Sequence, residues 1–173
     1  MLDAEIEIVP YNSGWTTAFL EERKLLRAVL EPWLIGEIEH VGSTAVAGMS
    51  AKPTIDIMAP VESLGRSRAA TAVAVEAGYV HYPYKLEQML WFCKPSPERR
   101  THHLYLVPYN SLLWLERLAF RDILRQDKIL SSAYANLKVE LASRFRSDRE
   151  AYSQAKAPFI QAVLASRCSI GPA

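Results

Sequence analysis

Apolar positions along this chain follow two regimes. Up to about residue 107 short runs and alternations between turn residues are interleaved with two helical stretches, and after Ser111 only helical spacing continues. Ile6 and Ile8 flank Glu7 in strand-like alternation, and Tyr11-Asn12-Ser13-Gly14 supplies a turn and a helix cap. Phe19, Leu26 and Leu30 then predict a helix from about Ser13 to Glu31, closed by Pro32, with Glu21, Glu22, Arg23 and Lys24 as its solvated face. Ile35 to Val41 reads as a strand, and Thr54 to Ala59 as a short buried one. Glu62 to Gly78, rich in alanine and ending in glycine, reads as a helix. Gln88 to Lys94 and Thr101 to Val107 read as strands joined by a hairpin loop over 95–100. Three helices follow, Leu112 to Arg125, Ser131 to Phe145, and Ala151 to Ser166, the last capped by Asp148. A strand-rich first part followed by three helices indicates one α+β domain over 1–173 with its helices segregated, the sheet in 1–109 and the C-terminal helices in 110–173.

Composition narrows the function classes. With 173 residues and 50% hydrophobic content the chain can bury one ordinary core. A formal net charge of +1 supplies no broad field for nucleic acid or anionic membrane. Cys93 and Cys168 lie far apart and fit no metal spacing or disulfide framework, and the acidic N-terminus lacks the pattern of a secretory signal. A cytoplasmic protein with no membrane partner is the expectation.

The chemistry concentrates in the run from His40 to Met58. Gly42 lets backbone amides approach a ligand, Ser43 and Thr44 offer hydroxyls to phosphate oxygens, Lys52 adds positive charge, and Asp56 stands alone in an apolar strand. Alternation puts Asp56 with Thr54 and Met58, opposite Ile55 and Ile57, and puts His103 with Thr101 and Tyr105. If the two strands are neighbours, Asp56, His103 and Tyr105 converge, with Ser43 at the rim. A carboxylate beside an imidazole can hold a divalent cation or act as an acid–base pair. Each residue also has a plain structural reading: Lys52 as a solvated loop lysine, Tyr105 as a core aromatic, Arg100 as half of a hairpin charge pair with Arg99. Tyr152 and Lys156, at i and i+4, present a ring and a charge toward a base or ribose, or belong to an ordinary amphipathic helix.

The run from His40 to Ile57, Arg100-Thr101-His102-His103-Leu104, Leu118-Ala119-Phe120-Arg121-Asp122, and Asp148-Arg149-Glu150-Ala151-Tyr152 with Lys156 and Phe159-Ile160 together resemble the GrpB family, also called UPF0157. The resemblance covers nearly the whole chain in collinear order. It implies a nucleotidyltransferase-like, polymerase-beta-like fold: a mixed sheet flanked by helices with a C-terminal helical segment. It also implies that Gly42 and Ser43 grip nucleotide phosphates and that Asp56 is the first metal carboxylate. Met58 stands where that superfamily has its second carboxylate and His103 near its third, and Tyr105 replaces an imidazole usual in the family. Two cations about 3.5–4 Å apart need more anionic ligands than this, so the expectation is one Mg²⁺ or Mn²⁺ held by Asp56, His103 and ligand phosphates. The resemblance then implies a nucleotide- or phosphate-binding protein performing atypical nucleotidyl or phosphoryl transfer, with Ser43, Lys52 and Arg100 on the phosphates. The alternatives are a non-catalytic sensor or partner-binding module, and a metal-assisted hydrolase. Fusion of some relatives to dephospho-CoA kinase implies an association with the CoA pathway.

Overall fold

In the computed structural model, which describes residues 5–168, helix α1 (Gly14–Leu30) starts where the turn residues predict, its first amide held by Asn12 Oδ1 at 2.8 Å. It buries Trp15, Phe19, Leu26 and Leu30. Pro32 sits in a 3-10 turn (Glu31–Trp33) that continues α1 directly, at a position where a missing amide costs nothing.

Strands β1 (Glu39–Val41), β2 (Ile55–Val61), β3 (Val80–Tyr82), β4 (Leu90–Pro95) and β5 (Arg100–Pro108) form one sheet in the order β1-β2-β5-β4-β3. The β4–β5 hairpin is antiparallel, and β5 inserts beside β2 as the one parallel pair. A parallel pair needs a long crossover, and the chain through α2 (Ala70–Glu76), β3 and β4 supplies it.

Alternation assigns the two faces correctly. Ile55, Ile57, Ala59, Phe92, Leu104 and Leu106 form the core with α1 and α2. Met58, Trp91, Cys93 and Tyr105 face the other way and are covered by Trp114 of α3 (Leu112–Gln126). Helices therefore flank both faces instead of gathering on one. Trp114 finishes the core at 4% exposure, and Cys93 is a buried free thiol. No helix among the described residues is long and apolar enough to cross a membrane.

Several elements depart from the sequence pattern for local reasons. Ile6 to Ile8 forms no strand: the segment makes a single bridge from Val9 to Ala51, and Ile6 is buried against Leu141 and Tyr152. β1 is short because Ile35 donates to the Pro60 carbonyl at 3.1 Å and the chain bends at Gly36 before pairing resumes. Only the alanine-rich half of the segment 62–78 is α-helical. Ser63, Gly65 and Ser67 keep the first half as turns, while Gly78 takes φ +90° just beyond the helix end as expected. The short edge strand β3 carries too few residues to show a pattern. α4 (Lys128–Arg144) begins before Ser131 because Asp127 caps it, accepting from the Ile129 and Leu130 amides at 3.0 Å.

The last expected helix is two. α5 (Arg149–Ala155), capped by Asp148, and α6 (Ala157–Cys168) break at Lys156, because Pro158 cannot donate to a carbonyl one turn back. Glu22 is also not a surface charge: at 9% exposure it accepts from Tyr79 Oη and Lys94 Nζ, both at 2.9 Å. A buried carboxylate needs such partners, and Lys94 reaches it from β4 on the α1 face.

Candidate functional site: a basic cavity around a carboxylate–imidazole pair

A cavity of about 400 Å³ opens between the sheet face carrying Asp56 and the helices α3, α4 and α5. The register β2 to β5 sets Asp56 directly beside His103. His103 Nδ1 lies 3.0 Å from Asp56 Oδ1, and Tyr105 Oη donates to the same oxygen at 2.9 Å. The adjacency assumed from alternation is therefore real.

Electrostatics fixes the roles in this trio. Burial of Asp56 works against its charge, but the hydrogen bond from His103, the Arg117 guanidinium and the Tyr105 hydroxyl outweigh it and hold the carboxyl well below the usual carboxylate range. Burial pushes His103 below the ordinary imidazole value despite the pull of Asp56, so at neutral pH the ring is uncharged. Burial, and then the Asp56 charge, keeps the Tyr105 phenol protonated. An uncharged imidazole that donates from Nδ1 leaves Nε2 as a proton acceptor. That atom is buried and has no hydrogen-bond partner among the described residues. The arrangement is a carboxylate orienting an imidazole whose far nitrogen, a lone-pair acceptor, is enclosed by the protein.

Gly42 ends β1 at φ +72°, ψ −172°, packed against the Asp56 carboxylate so closely that a Cβ there would collide with it. The chain then turns through Ser43–Ala45. Ser43 lines the cavity with a half-buried side chain. Thr44 also lines it, but its hydroxyl already donates to the Thr54 carbonyl (3.2 Å) and lies 3.0 Å from His40 Nε2. Thr44 holds the loop's shape instead of reaching outward. Burial, together with Arg125 and Arg121, drives His40 down to about 4 against the pull of Asp56, so the ring is a neutral strut stacked on Phe19.

Five basic side chains line the cavity around this trio: Arg121, which is paired with Glu39 and Asp122, and Lys52, Arg117, Lys138 and Lys156. Arg117 lies over the Tyr105 ring at 4.0 Å, and Lys156 over the Tyr152 ring at 4.2 Å. The ring-and-charge pairing expected of Tyr152 and Lys156 is thus present inside the site. Arg100 is not among the lining residues; its guanidinium lies over Trp91 at 5.2 Å, and its Nε donates to the Pro97 carbonyl at 2.7 Å.

Arg117 and Lys138 went unnoticed in the sequence. The available signal was a basic residue on a buried stripe: Arg117 shares one with Trp114 and Leu124, Lys138 with Tyr134 and Leu141. Arg121 lies on the same α3 stripe and does more than pair with Asp122. Its guanidinium also donates to Glu39 at 2.6 Å and to the His40 carbonyl at 3.0 Å, fastening α3 to β1 just before Gly42. Arg121→Ala is expected to cost about 2 kcal/mol, discounted for the partial exposure of Glu39 and Asp122. Arg121→Lys recovers less than half, since an ammonium cannot fork to these acceptors at once. Urea unfolding of both variants checks this, and equal stability of the two would refute the forked role.

The donor set fits a resident divalent cation poorly. No group of three or more His, Cys, Asp or Glu side chains able to hold a metal gathers among the described residues, and Met58 is sealed in the core at 0% exposure. Asp56 Oδ1 is occupied by His103 and Tyr105, and the surrounding basic groups repel a cation. A hard metal would have to bring its own anionic ligands.

Comparison with known proteins places the chain. The family model described as GrpB protein matches residues 5–166. The chain is 32% identical over 165 residues to the glutamate-rich protein GrpB of Alkalihalophilus pseudofirmus, covering 92% of this chain and 94% of that one. It is 35% identical over 167 residues to a UPF0157 protein of Pseudomonas aeruginosa, covering 94% and 67%. Its fold is similar to the crystal structure of the conserved protein GrpB from Enterococcus faecalis, with a TM-score of 0.82 at 27% identity over 92% of this chain and 96% of that one. The strands, the Gly42 turn and the helices that close the cavity all lie inside the matched span, and the chain belongs to the GrpB family.

Proposed function

We propose that the cavity binds a phosphorylated small molecule, a nucleotide first among the candidates, and that His103, oriented by Asp56, takes a proton from a hydroxyl at the phosphate. The observation that carries this reading is the convergence of Lys52, Arg117, Lys138 and Lys156 on a cavity whose centre is one half-buried anionic carboxylate bonded to a neutral imidazole. Basic groups recognise phosphate oxygens, while a lone carboxylate among them serves the imidazole. A volume of about 400 Å³ suits a ligand of nucleotide size.

The nucleotidyltransferase-like ancestry belongs to this proposal. On that scaffold Gly42 and Ser43 grip the phosphates, and the absence of a second carboxylate at Met58 points to transfer assisted by basic side chains, with at most one Mg²⁺ or Mn²⁺ carried in by the ligand. A ligand sensor on the same scaffold is the second reading, favoured by that same loss.

A melting-temperature screen tests the proposal, using ATP, GTP, CTP, UTP, CoA precursors and inorganic phosphates, each with Mg²⁺, Mn²⁺ or chelator. Ligand at about 100 times its Kd stabilises by about 2.7 kcal/mol, a shift of several degrees. We expect that shift to survive chelator. A shift seen only with metal would assign the cation to the bound complex, and no shift with any phosphate compound would sink the proposal.

A further inference from the structure

Lys138 and Lys156 are the least expected residues in the cavity. Lys138 is 2% exposed; its Nζ donates to the Ser50 carbonyl at 2.5 Å and lies 5.3 Å from the Tyr134 ring. Lys156 stands at the break between α5 and α6, over Tyr152. Neither the buried Lys138 nor the half-buried Lys156 makes an ion pair among the described residues, although ammonium groups taken from water ordinarily demand a carboxylate. Arg121, on the same cavity wall, has such partners in Glu39 and Asp122, so the fold supplies acids where it needs them.

The groups facing the two lysines connect them to the rest of the cavity. Lys156 lies in the fields of Lys52, Asp56 and Arg117, whereas the field acting on Lys138 is that of Lys156. Lys156 therefore neighbours both Asp56 and Lys138. The other faces are the rings of Tyr134 and Tyr152, both with phenols kept protonated by burial. Glu116 also lines the cavity, but it is exposed.

Resting on the reading of the cavity as a phosphate site, we propose that Lys138 and Lys156 form a second anion subsite, so that the ligand carries at least two phosphate groups and takes up protons on binding. One phosphate lies at Ser43, Lys52 and Arg117 beside His103, and the next lies between Lys156 and Lys138. The ligand supplies the counter-charge that the protein omits. Burial, and then the charge of Lys156, lowers Lys138 to about 7, while burial, and then the charge of Lys52 against the pull of Asp56, lowers Lys156 to about 8, so both amines are partly neutral in the empty protein. A bound phosphate between them restores the ammonium forms.

Titration calorimetry of the full chain at pH 8, with orthophosphate, pyrophosphate and triphosphate in two buffers of different ionisation enthalpy, tests this. Pyrophosphate is expected to bind at least about tenfold tighter than orthophosphate, the worth of one added charge-assisted hydrogen bond. Uptake of about one proton per pyrophosphate should accompany it. Lys138→Met and Lys156→Met should each remove most of that tenfold preference and reduce the proton uptake. Three phosphates bound with equal affinity, or binding without proton uptake, would overturn the second subsite alone. No binding of any of them would overturn the phosphate reading as well.

Discussion

Gly42→Ala is expected to destabilise the protein by about 3 kcal/mol and to abolish phosphate binding. Two effects add. The backbone sits at φ +72°, ψ −172°, a region essentially reserved for glycine, where a side chain costs on the order of 1–3 kcal/mol. The new methyl also runs into the Asp56 carboxylate, which is fixed by His103 and Tyr105 and cannot yield without breaking those bonds. Gly48 supplies the control, since its φ is +79° but nothing lies within 4 Å of a Cβ there. Gly48→Ala meets backbone strain alone and should cost about 1 kcal/mol. Urea unfolding of both proteins separates strain from collision, and the same samples report phosphate affinity. A Gly42→Ala protein as stable as Gly48→Ala would mean that the tight approach of loop to carboxylate has no energetic consequence.

How far the sequence reveals this site depends on how local each determinant is. Asp56 stands out because a carboxylate interrupts an apolar run, and its direction follows from two-residue alternation within one strand. His103 and Tyr105 share a face for the same reason. Their approach to Asp56 is not local: it requires β5, paired on one edge with its hairpin partner β4, to pair in parallel with β2 along its other edge, a choice made by the whole sheet. Arg117 and Lys138 are harder still. The helices that carry them are evident, but which part of each stripe faces a cavity instead of the core depends on how α3, α4 and α5 pack together. Pro158 was a readable break that the surrounding helical spacing concealed, and that break positions Lys156. Glu22 misleads in the opposite sense, since its partners Tyr79 and Lys94 come from distant segments and nothing within α1 announces them.

Asp56→Asn should separate binding from chemistry more sharply than a truncation. An amide keeps the shape and can still accept from Tyr105 and from His103 Nδ1, but it carries no charge. Removing a negative charge from among the cavity's basic groups favours an anionic ligand, by about tenfold at the effective dielectric of a partly exposed site. The imidazolium that forms when His103 takes a proton loses its counter-charge, so turnover of the nucleotide selected by the melting screen should fall by about 10²–10⁴. Stability gives a third readout. Because the folded carboxyl titrates below its ordinary value of 3.8, its ionisation stabilises the fold at all pH values above that, and the benefit is lost only as pH falls through the lower folded value. Asp56→Asn should therefore lower stability by on the order of 2 kcal/mol, evenly between pH 5 and 8, where the wild-type carboxylate stays ionised. Tighter phosphate binding with lost turnover identifies the pair as the proton-transfer centre of an enzyme. Tighter binding in a protein that never turns over any nucleotide identifies a sensor, in which Asp56 holds the affinity down. Weaker binding that metal restores in the wild type alone would place a cation on Asp56 and displace both readings.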